Sequence, residues 1–476
     1  MNIGLLCGMI CLFSQCKNPN PRIEEIDDLF SKWNNQDSPG CSVWVYHNGK
    51  IAYKKSFGMA NIADSIPIES TTQFHVASIT KQFTGMAIAI LEDRGLINKD
   101  EEIIEYIAEI PNYGASISIR NLLNHTSGIP DYQYLEDLAG IDGHQGISRE
   151  TFFDLLHSKA SLNNQPGERY IYSNSNYVLL ALIVEKVAHM TFPEFVKKEI
   201  FAPLNMNNSE FASEGKLGES KRLAYGYGHR YQIEQPSIKV NTITGDGGIV
   251  TNVDDLGLWV KGLITQKLPA TISLIQRPSS GHYNYGLQYF RHNGLPTISH
   301  GGVHFGFRSN ILIFPDQDFI VIILANIDNR DFFYNNYSIA DILLKDSYKK
   351  VDTISESISE VATFIGKFTN KYFDEVVMIE SVDSNLLITN YQKEENYTAF
   401  QSDENAFISL SASGQRTYLF NETRDSLEIV DYDGSTKAFH KVRDFHFPSK
   451  LKDLAGTYLS QDIGFKLSLT IDDKGI

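Results

Sequence analysis

The chain predicts an α/β fold, an antiparallel sheet flanked by helices plus an all-helical subdomain, followed by a C-terminal β-barrel or β-sandwich module. Three observations carry this. Residues 22–348 run helix, hairpin, many helices, then strands and a closing helix, so the two ends supply strands and the middle supplies helices. Beyond Val351 the texture changes to short alternating strands separated by Gly, Asn, Asp and charged turns. At about 150 residues per domain, 476 residues also leave room for roughly three units.

The elements follow in order. Ile23, Ile26, Phe30 and Trp33 share a helical face. Cys41–His47 and Ile51–Phe57 are apolar runs joined through Asn48-Gly49, the signature of a two-residue hairpin turn. Ser78 to Leu91 reads as a buried helix stopped by Gly95, and Arg120 to Asn124 as a short helix before the turn Thr126-Ser127-Gly128. Asn176 to Ala188 and Phe192 to Ile200 are further helices, the second capped by Thr191 with Pro193 in its first turn. Asp254 to Ile264 is a helix with Asn252 as its cap. Strands are expected at Tyr285–Phe290, Phe307–Phe314 and Phe319–Ala325, and a helix at Ser338–Leu344.

In the C-terminal region, alternating strands such as VVMIESV, NLLITNY, TYLFN and SLEIVDY recur every 8–12 residues over 358–443. Its Tyr and Phe residues read as core and cross-strand pairs. Gly366-Lys367-Phe368 returns as Gly456-Thr457-Tyr458, and the same offset of 90 residues aligns Val376–Ile379 with Lys466–Leu469. Residues 449–476 are therefore expected to open a second repeat. A lone hairpin cannot bury a core, so either the recorded chain is truncated there or the hairpin completes another sheet.

Composition narrows the functions. A net charge of −16 lacks the basic face that nucleic-acid binding requires. No apolar run reaches the roughly 18–20 residues of a membrane span. Ile3 to Phe13 is apolar but short, and the polar run from Lys17 to Pro21 follows Cys16. This segment resembles a bacterial lipoprotein signal over residues 1–16 with Cys16 as the lipidated residue, though no Lys or Arg precedes the apolar run. The resemblance implies an exported protein of the cell envelope or periplasm, held to a membrane only through a lipid anchor.

Ser-x-x-Lys occurs five times, starting at Ser14, Ser78, Ser213, Ser347 and Ser449. Only Ser78-Ile79-Thr80-Lys81 opens a long apolar helix. Residues i and i+3 share a helix face, so the Lys81 ammonium reaches the Ser78 hydroxyl. The helix start also offers free N–H groups to a developing oxyanion. Alone, Ser78 would read equally as an N-cap. Tyr172-Ser173-Asn174 follows the turn at Pro166-Gly167. A buried Lys beside Tyr172 would favour the phenolate, making Tyr172 a candidate general base, and Asn174 could bond both Lys81 and a substrate carbonyl. Ser299-His300-Gly301-Gly302 precedes the strand pair, where glycine permits close approach of a ligand or another backbone. No phosphate loop or Cys-x-x-Cys pair occurs. His300 and His304 lack a third ligand in view, so no metal and no cofactor are expected.

Taken in order, Ser78–Lys81, Leu122-Leu123-Asn124-His125-Thr126-Ser127-Gly128, Pro166-Gly167 with Tyr172-Ser173-Asn174, Pro203-Leu204-Asn205-Met206, Gly247-Gly248 with Asp254-Asp255-Leu256, and His300-Gly301-Gly302 with Gly306-Phe307 resemble the signature of the serine β-lactamase-like, penicillin-recognising hydrolases. The likeness is to the branch of class C β-lactamases, D-aminopeptidases, DD-carboxypeptidases and esterases, and covers about residues 22–348.

That resemblance implies Ser78 as the acylated nucleophile, Lys81 as the residue that sets protonation states, Tyr172 as general base, and Asn174, His300, Gly301 and Gly302 as substrate-binding. It implies an oxyanion hole from the backbone N–H groups of Ser78 and Val303. Which of Lys81 and Tyr172 takes the proton stays open, since the two titrate as a pair. The partner tripeptides here are Tyr-Ser-Asn and His-Gly-Gly, unlike the class A set. True β-lactamases of this branch carry Lys where His300 stands and a hydroxyl residue where Gly301 stands, so a small ester, amide or D-amino-acid peptide substrate is expected. The alternatives are a protein that binds or slowly acylates without turnover, and an esterase without peptide activity. The C-terminal repeats resemble the lipocalin-like barrels of D-aminopeptidase-type members and imply a cap, a partner-binding module or a spacer.

Overall fold

The computed structural model describes residues 21–142, 146–159, 161–212, 222–228, 243–268, 270, 274, 282–329, 331–348, 361–370, 376–382, 385–390, 395–403, 405–411, 414–430, 436–442, 456–459 and 466–469. The apolar N-terminal segment with Cys16, and the Ser-x-x-Lys serine at 213, lie outside them.

A seven-stranded antiparallel sheet forms the frame. Its strands are β1 (Cys41–His47), β2 (Lys50–Phe57), β3 (Tyr283–Asn284), β4 (Leu287–His292), β5 (Leu295–His304), β6 (Phe307–Phe314) and β7 (Phe319–Ala325). Their order is β2-β1-β7-β6-β5-β4-β3, so the first hairpin pairs with the last strand, Cys41 opposite Ala325 and His47 opposite Phe319. Asn48 and Gly49 take φ of +51° and +81°, the left-handed pair that a type I′ turn needs.

Strand β7 shows how sequence becomes two cores. Its residues alternate faces. Phe319, Val321, Ile323 and Ala325 join Val43, Val45 and Leu312 on one side, under α1 (Pro21–Phe30) and a C-terminal helix, α9 (Asp331–Leu344). Ile320, Ile322 and Leu324 face the other way, into the larger core. All seven are buried, hence the unbroken apolar run. Each such aliphatic side chain contributes about 1.5–3 kcal/mol on burial.

The larger core packs the helical part. It is built from α2 (Thr80–Asp93), α3 (Ile119–Leu123), α4 (Tyr132–Ala139), α5 (Arg149–Ser158), α6 (Asn174–Ala188), α7 (Phe192–Val196) and α8 (Val253–Ile264). Helix starts follow capping chemistry: Ser118 and Thr191 close capping boxes with Asn121 and Glu194, and Asn252 accepts from the Asp255 N–H.

Several expectations need correction. The α-helix proper starts at Thr80, not Ser78, which lies in a 3-10 turn, Ala77–Ile79, with no side-chain cap bond. Helix α6 starts at Asn174, two residues early, because Asn174 itself bonds to Asp131. Tyr285 and Gly286 form a turn between β3 and β4 rather than strand. The His300-Gly301-Gly302 motif lies within strand β5, not in a loop before the strand pair. Beyond Val196 the helix continues as a π-turn, Lys197–Phe201.

The C-terminal module is a closed up-and-down barrel, not a sandwich. Its strands β8 (Gly366–Asn370), β9 (Val376–Val382), β10 (Asn385–Asn390), β11 (Glu395–Asp403), β12 (Ala406–Ser411), β13 (Gly414–Phe420), β14 (Ser426–Val430) and β15 (Thr436–Lys441) pair in sequence, and β8 closes on β15. The interior is filled: Phe364 rests edge-on against Phe407 and Phe420, each 4.9 Å between centroids, among Ile379, Ile388 and Phe439. The hairpin Gly456–Leu459 with Lys466–Leu469 pairs Gly456 with Leu469, as the barrel pairs Gly366 with Ile379. The same register 90 residues apart matches the repeat in the sequence.

Candidate active site

Three parts of the fold meet at Ser78: the 3-10 turn at the start of α2, the start of α6, and strand β5. Ser78 follows Ala77, whose φ of +47° is a strained conformation for a non-glycine residue. The turn is tied down on all sides. The Ala77 N–H donates to His75 Nδ1 (3.2 Å), Val76 N–H to the Ile249 carbonyl (3.0 Å), and Ser309 Oγ to the Val76 carbonyl (2.8 Å).

Lys81 lies one helical turn on and is fully buried. An ammonium has three hydrogens, and each has an acceptor: Ser78 Oγ at 3.0 Å, Asn174 Oδ1 at 2.8 Å and the Asp246 carbonyl at 2.8 Å. Burial pulls the Lys81 pKa down to about 8, against the pull of Asp246 and Asp131. The Tyr172 hydroxyl donates to the same Ser78 Oγ at 3.1 Å, and the Lys81 ammonium sits 5.1 Å from the Tyr172 ring centroid. Burial pushes the Tyr172 phenol above its ordinary value, although the Ser78 hydrogen bond opposes it. Burial thus does not favour the phenolate expected at rest.

Asn174 meets Lys81 as expected, but its amide hydrogens are engaged elsewhere. Its Nδ2 donates to Asp131 Oδ2 (2.9 Å) and Gln133 Oε1 (3.0 Å), and its backbone N–H to Asp131 Oδ2 (3.0 Å). Both amide hydrogens are thus held by the protein, so Asn174 positions Lys81 with no hydrogen left over for a substrate carbonyl.

His300 is neither a loop residue nor partly charged. It is 4% exposed, and burial, then the Lys81 charge, lower its pKa to about 3. Its Nδ1 contacts the Gly301 carbonyl at 2.6 Å, which makes Nδ1 the protonated nitrogen. Nε2 then accepts from the Tyr283 hydroxyl at 2.8 Å. Gly301 adds no side chain. A Cβ at Gly302 would lie 2.3 Å from both Ser309 Oγ and the Val76 carbonyl. Glycine there lets β5 lie against the nucleophile turn, with Val303 next along the strand.

Sequence reasoning missed four participants. Asp131 and Gln133 hold Asn174, Asp246 supplies a carbonyl to Lys81 and a carboxylate to the Tyr132 hydroxyl (2.9 Å), and Tyr283 occupies His300. Asp131 was findable, as an Asp just after Gly128-Ile129-Pro130 and before a helical run, and it does cap α4 through the Gln133 N–H. Tyr283 left no local signal.

Comparison with known proteins places this geometry. A family model described as Beta-lactamase matches residues 24–344. "Protein flp" of Staphylococcus aureus (strain N315) is 29% identical over 311 residues, 61% of this chain and 60% of that protein. A protein of Bacillus subtilis (strain 168) named as a penicillin-binding protein is 27% identical over 326 residues, 64% of this chain and 71% of that one. The match thus spans about 60% of the length of the first of these relatives. The crystal structure of a penicillin-binding protein from Bacillus halodurans superposes with a TM-score of 0.58 at 25% identity, covering 68% of this chain and 99% of that one. The matched region contains both halves of the sheet, the helical part and every residue around Ser78, and the chain belongs to the Beta-lactamase family.

Proposed function

We propose that the protein is a serine hydrolase that forms an acyl-Ser78 intermediate on small esters or amides without a free carboxylate, D-amino-acid amides and C-terminally blocked peptides among them. The observation that carries this reading is the convergence of Lys81 Nζ and the Tyr172 hydroxyl on one oxygen, Ser78 Oγ, at 3.0 and 3.1 Å. A serine hydroxyl needs such partners to act as a nucleophile.

The proton path follows from the two shifts. With a pKa near 8, a fraction of Lys81 is neutral at pH 7. The neutral amine accepts the Ser78 proton as Oγ attacks the carbonyl carbon, and the carbonyl oxygen becomes an oxyanion facing the Ser78 and Val303 N–H groups. The resulting Lys81 ammonium returns the proton, through the Tyr172 hydroxyl, to the leaving alcohol or amine. Water then repeats the sequence on the acyl-enzyme. The pH dependence has a definite sign. The neutral amine is the active form, so kcat/KM should fall about tenfold per pH unit well below 8 and level off above it.

Preference for substrates without a free carboxylate rests on the third motif. Both His300 nitrogens are engaged within the protein, and Gly301 offers no hydroxyl. Asp131 and Asp246 lie close enough to Lys81 to act on its charge. A substrate carboxylate would thus find no free cation or hydroxyl on this strand segment. The test is a paired assay: an N-acetylated D-amino-acid dipeptide amide, which carries no charge, against the same dipeptide with a free C-terminal carboxylate, and against a penicillin. The expected kcat/KM ratio favours the uncharged member at least tenfold. Equal rates, or faster penicillin hydrolysis, would overturn this substrate assignment. The lipoprotein-like N-terminus supports a location at the cell envelope, testable by metabolic labelling with a palmitate analogue in wild type and Cys16→Ala.

A further inference from the structure

His125 lies outside the hydrogen-bonded set around Ser78, yet it touches the Tyr172 segment at three points. It follows α3 in a left-handed conformation, φ +57°, which turns its carbonyl and its ring toward residues 171–176. The Ile171 N–H donates to the His125 carbonyl at 2.9 Å, and the Ser173 N–H donates to His125 Nδ1 at 3.1 Å. The residues before and after Tyr172 are thus both fastened to one histidine. Asn176 Nδ2 adds a contact to Nδ1 at 3.1 Å, tying the start of α6 to the same atom.

The ring itself is enclosed. Its centroid lies 4.3 Å from Tyr172, 4.5 Å from Tyr283, 5.1 Å from Tyr177 and 5.8 Å from Tyr170. A backbone N–H can only donate, so Nδ1 must carry a lone pair and the single proton must sit on Nε2. Nε2 is buried with no hydrogen-bond partner among the described residues. A buried donor without an acceptor is unfavourable; what the ring supplies is the Nδ1 lone pair that meets the Ser173 N–H and Asn176 Nδ2. A neutral ring also adds no second cation beside Lys81, and burial holds its pKa well below the ordinary histidine value.

We propose that His125 is the positioning residue for the general acid–base Tyr172: as a neutral, Nε2-protonated imidazole it clamps residues 171 and 173 so that the phenol reaches Ser78. This rests on the acyl-Ser78 reading above. Breaking the clamp moves the hydroxyl without touching the residues that face substrate, so the acylation step suffers and substrate binding does not.

The test compares wild type, His125→Phe and His125→Asn. Phenylalanine keeps an aromatic ring and removes the Nδ1 acceptor; asparagine tolerates the left-handed backbone and offers an acceptor. The expected result is a His125→Phe protein whose kcat for an uncharged ester falls at least tenfold, with KM unchanged within twofold and His125→Asn intermediate. A folded His125→Phe protein with the wild-type kcat overturns the proposal and leaves the Ser78 reading intact. If His125→Phe does not fold, nitrogen-15 NMR of wild-type histidines decides: a proton on Nε2 at neutral pH supports the clamp, and a proton on Nδ1 overturns it. A wild type that does not react with a fluorophosphonate probe overturns the Ser78 reading, and this proposal with it.

Discussion

Replacing Ser78 by alanine is expected to reduce turnover on the order of 10⁵–10⁶-fold, the size seen when a covalent nucleophile is removed. The fold should not change. Among the described residues Ser78 makes no capping bond, and its Oγ meets only the two groups proposed to activate it, Lys81 and Tyr172. Losing it leaves those two donors beside a space of one oxygen atom, a minor cost in a region whose turn is held through residues 75–77 and 309. The expected outcome is therefore an inactive protein with a circular dichroism spectrum like wild type. Measured steady-state rates on a D-amino-acid ester check it. Residual activity above about 1% of wild type would mean that another group attacks the carbonyl.

Lys81→Met is expected to lower kcat on the order of 10³-fold, within the 10²–10⁴ that a positioned acid–base contributes. The pH limb near 8 should vanish with it, because that limb is assigned to the Lys81 amine. Stability responds to opposing effects. The substitution removes a desolvated charge, which is favourable, but leaves Asn174 Oδ1 and the Asp246 carbonyl without a donor, at about 1–3 kcal/mol each. Kinetics and thermal melts on the same sample separate lost chemistry from lost fold. If the variant keeps a pH limb near 8, that limb belongs to another residue.

The sequence shows the frame better than the fine structure of the site. Strand β7 and the Asn48-Gly49 hairpin could be read because their signals are local: an unbroken apolar run and a turn dipeptide. Ser78, Lys81 and Tyr172 were recognised by their motifs, and the fold brings all three to one oxygen. What escaped is non-local. The engagement of His300 Nε2 depends on Tyr283, seventeen positions earlier in the chain and placed by the turn into β4. The engagement of Asn174 depends on Asp131, 43 positions away. The resting phenol of Tyr172 depends on burial, which no spacing reveals. Strand β5 carries no such signal because Pro296 and two glycines break its apolar pattern, although their neighbours pair regularly with β6.

The same distinction applies to the barrel. Alternation and turn spacing announced an all-β module, but closure of β8 on β15 is a pairing between strands about 70 residues apart. Its interior, with Phe364 against Phe407 and Phe420, places these three aromatic residues in a core, whereas Phe400 is exposed.

The most direct measurement is intact mass after exposure to a fluorophosphonate, wild type beside Ser78→Ala. An activated Ser78 predicts a single adduct on wild type and none on the variant. No adduct on folded wild type, or an adduct that persists in Ser78→Ala, would contradict the assignment of Ser78 as the nucleophile.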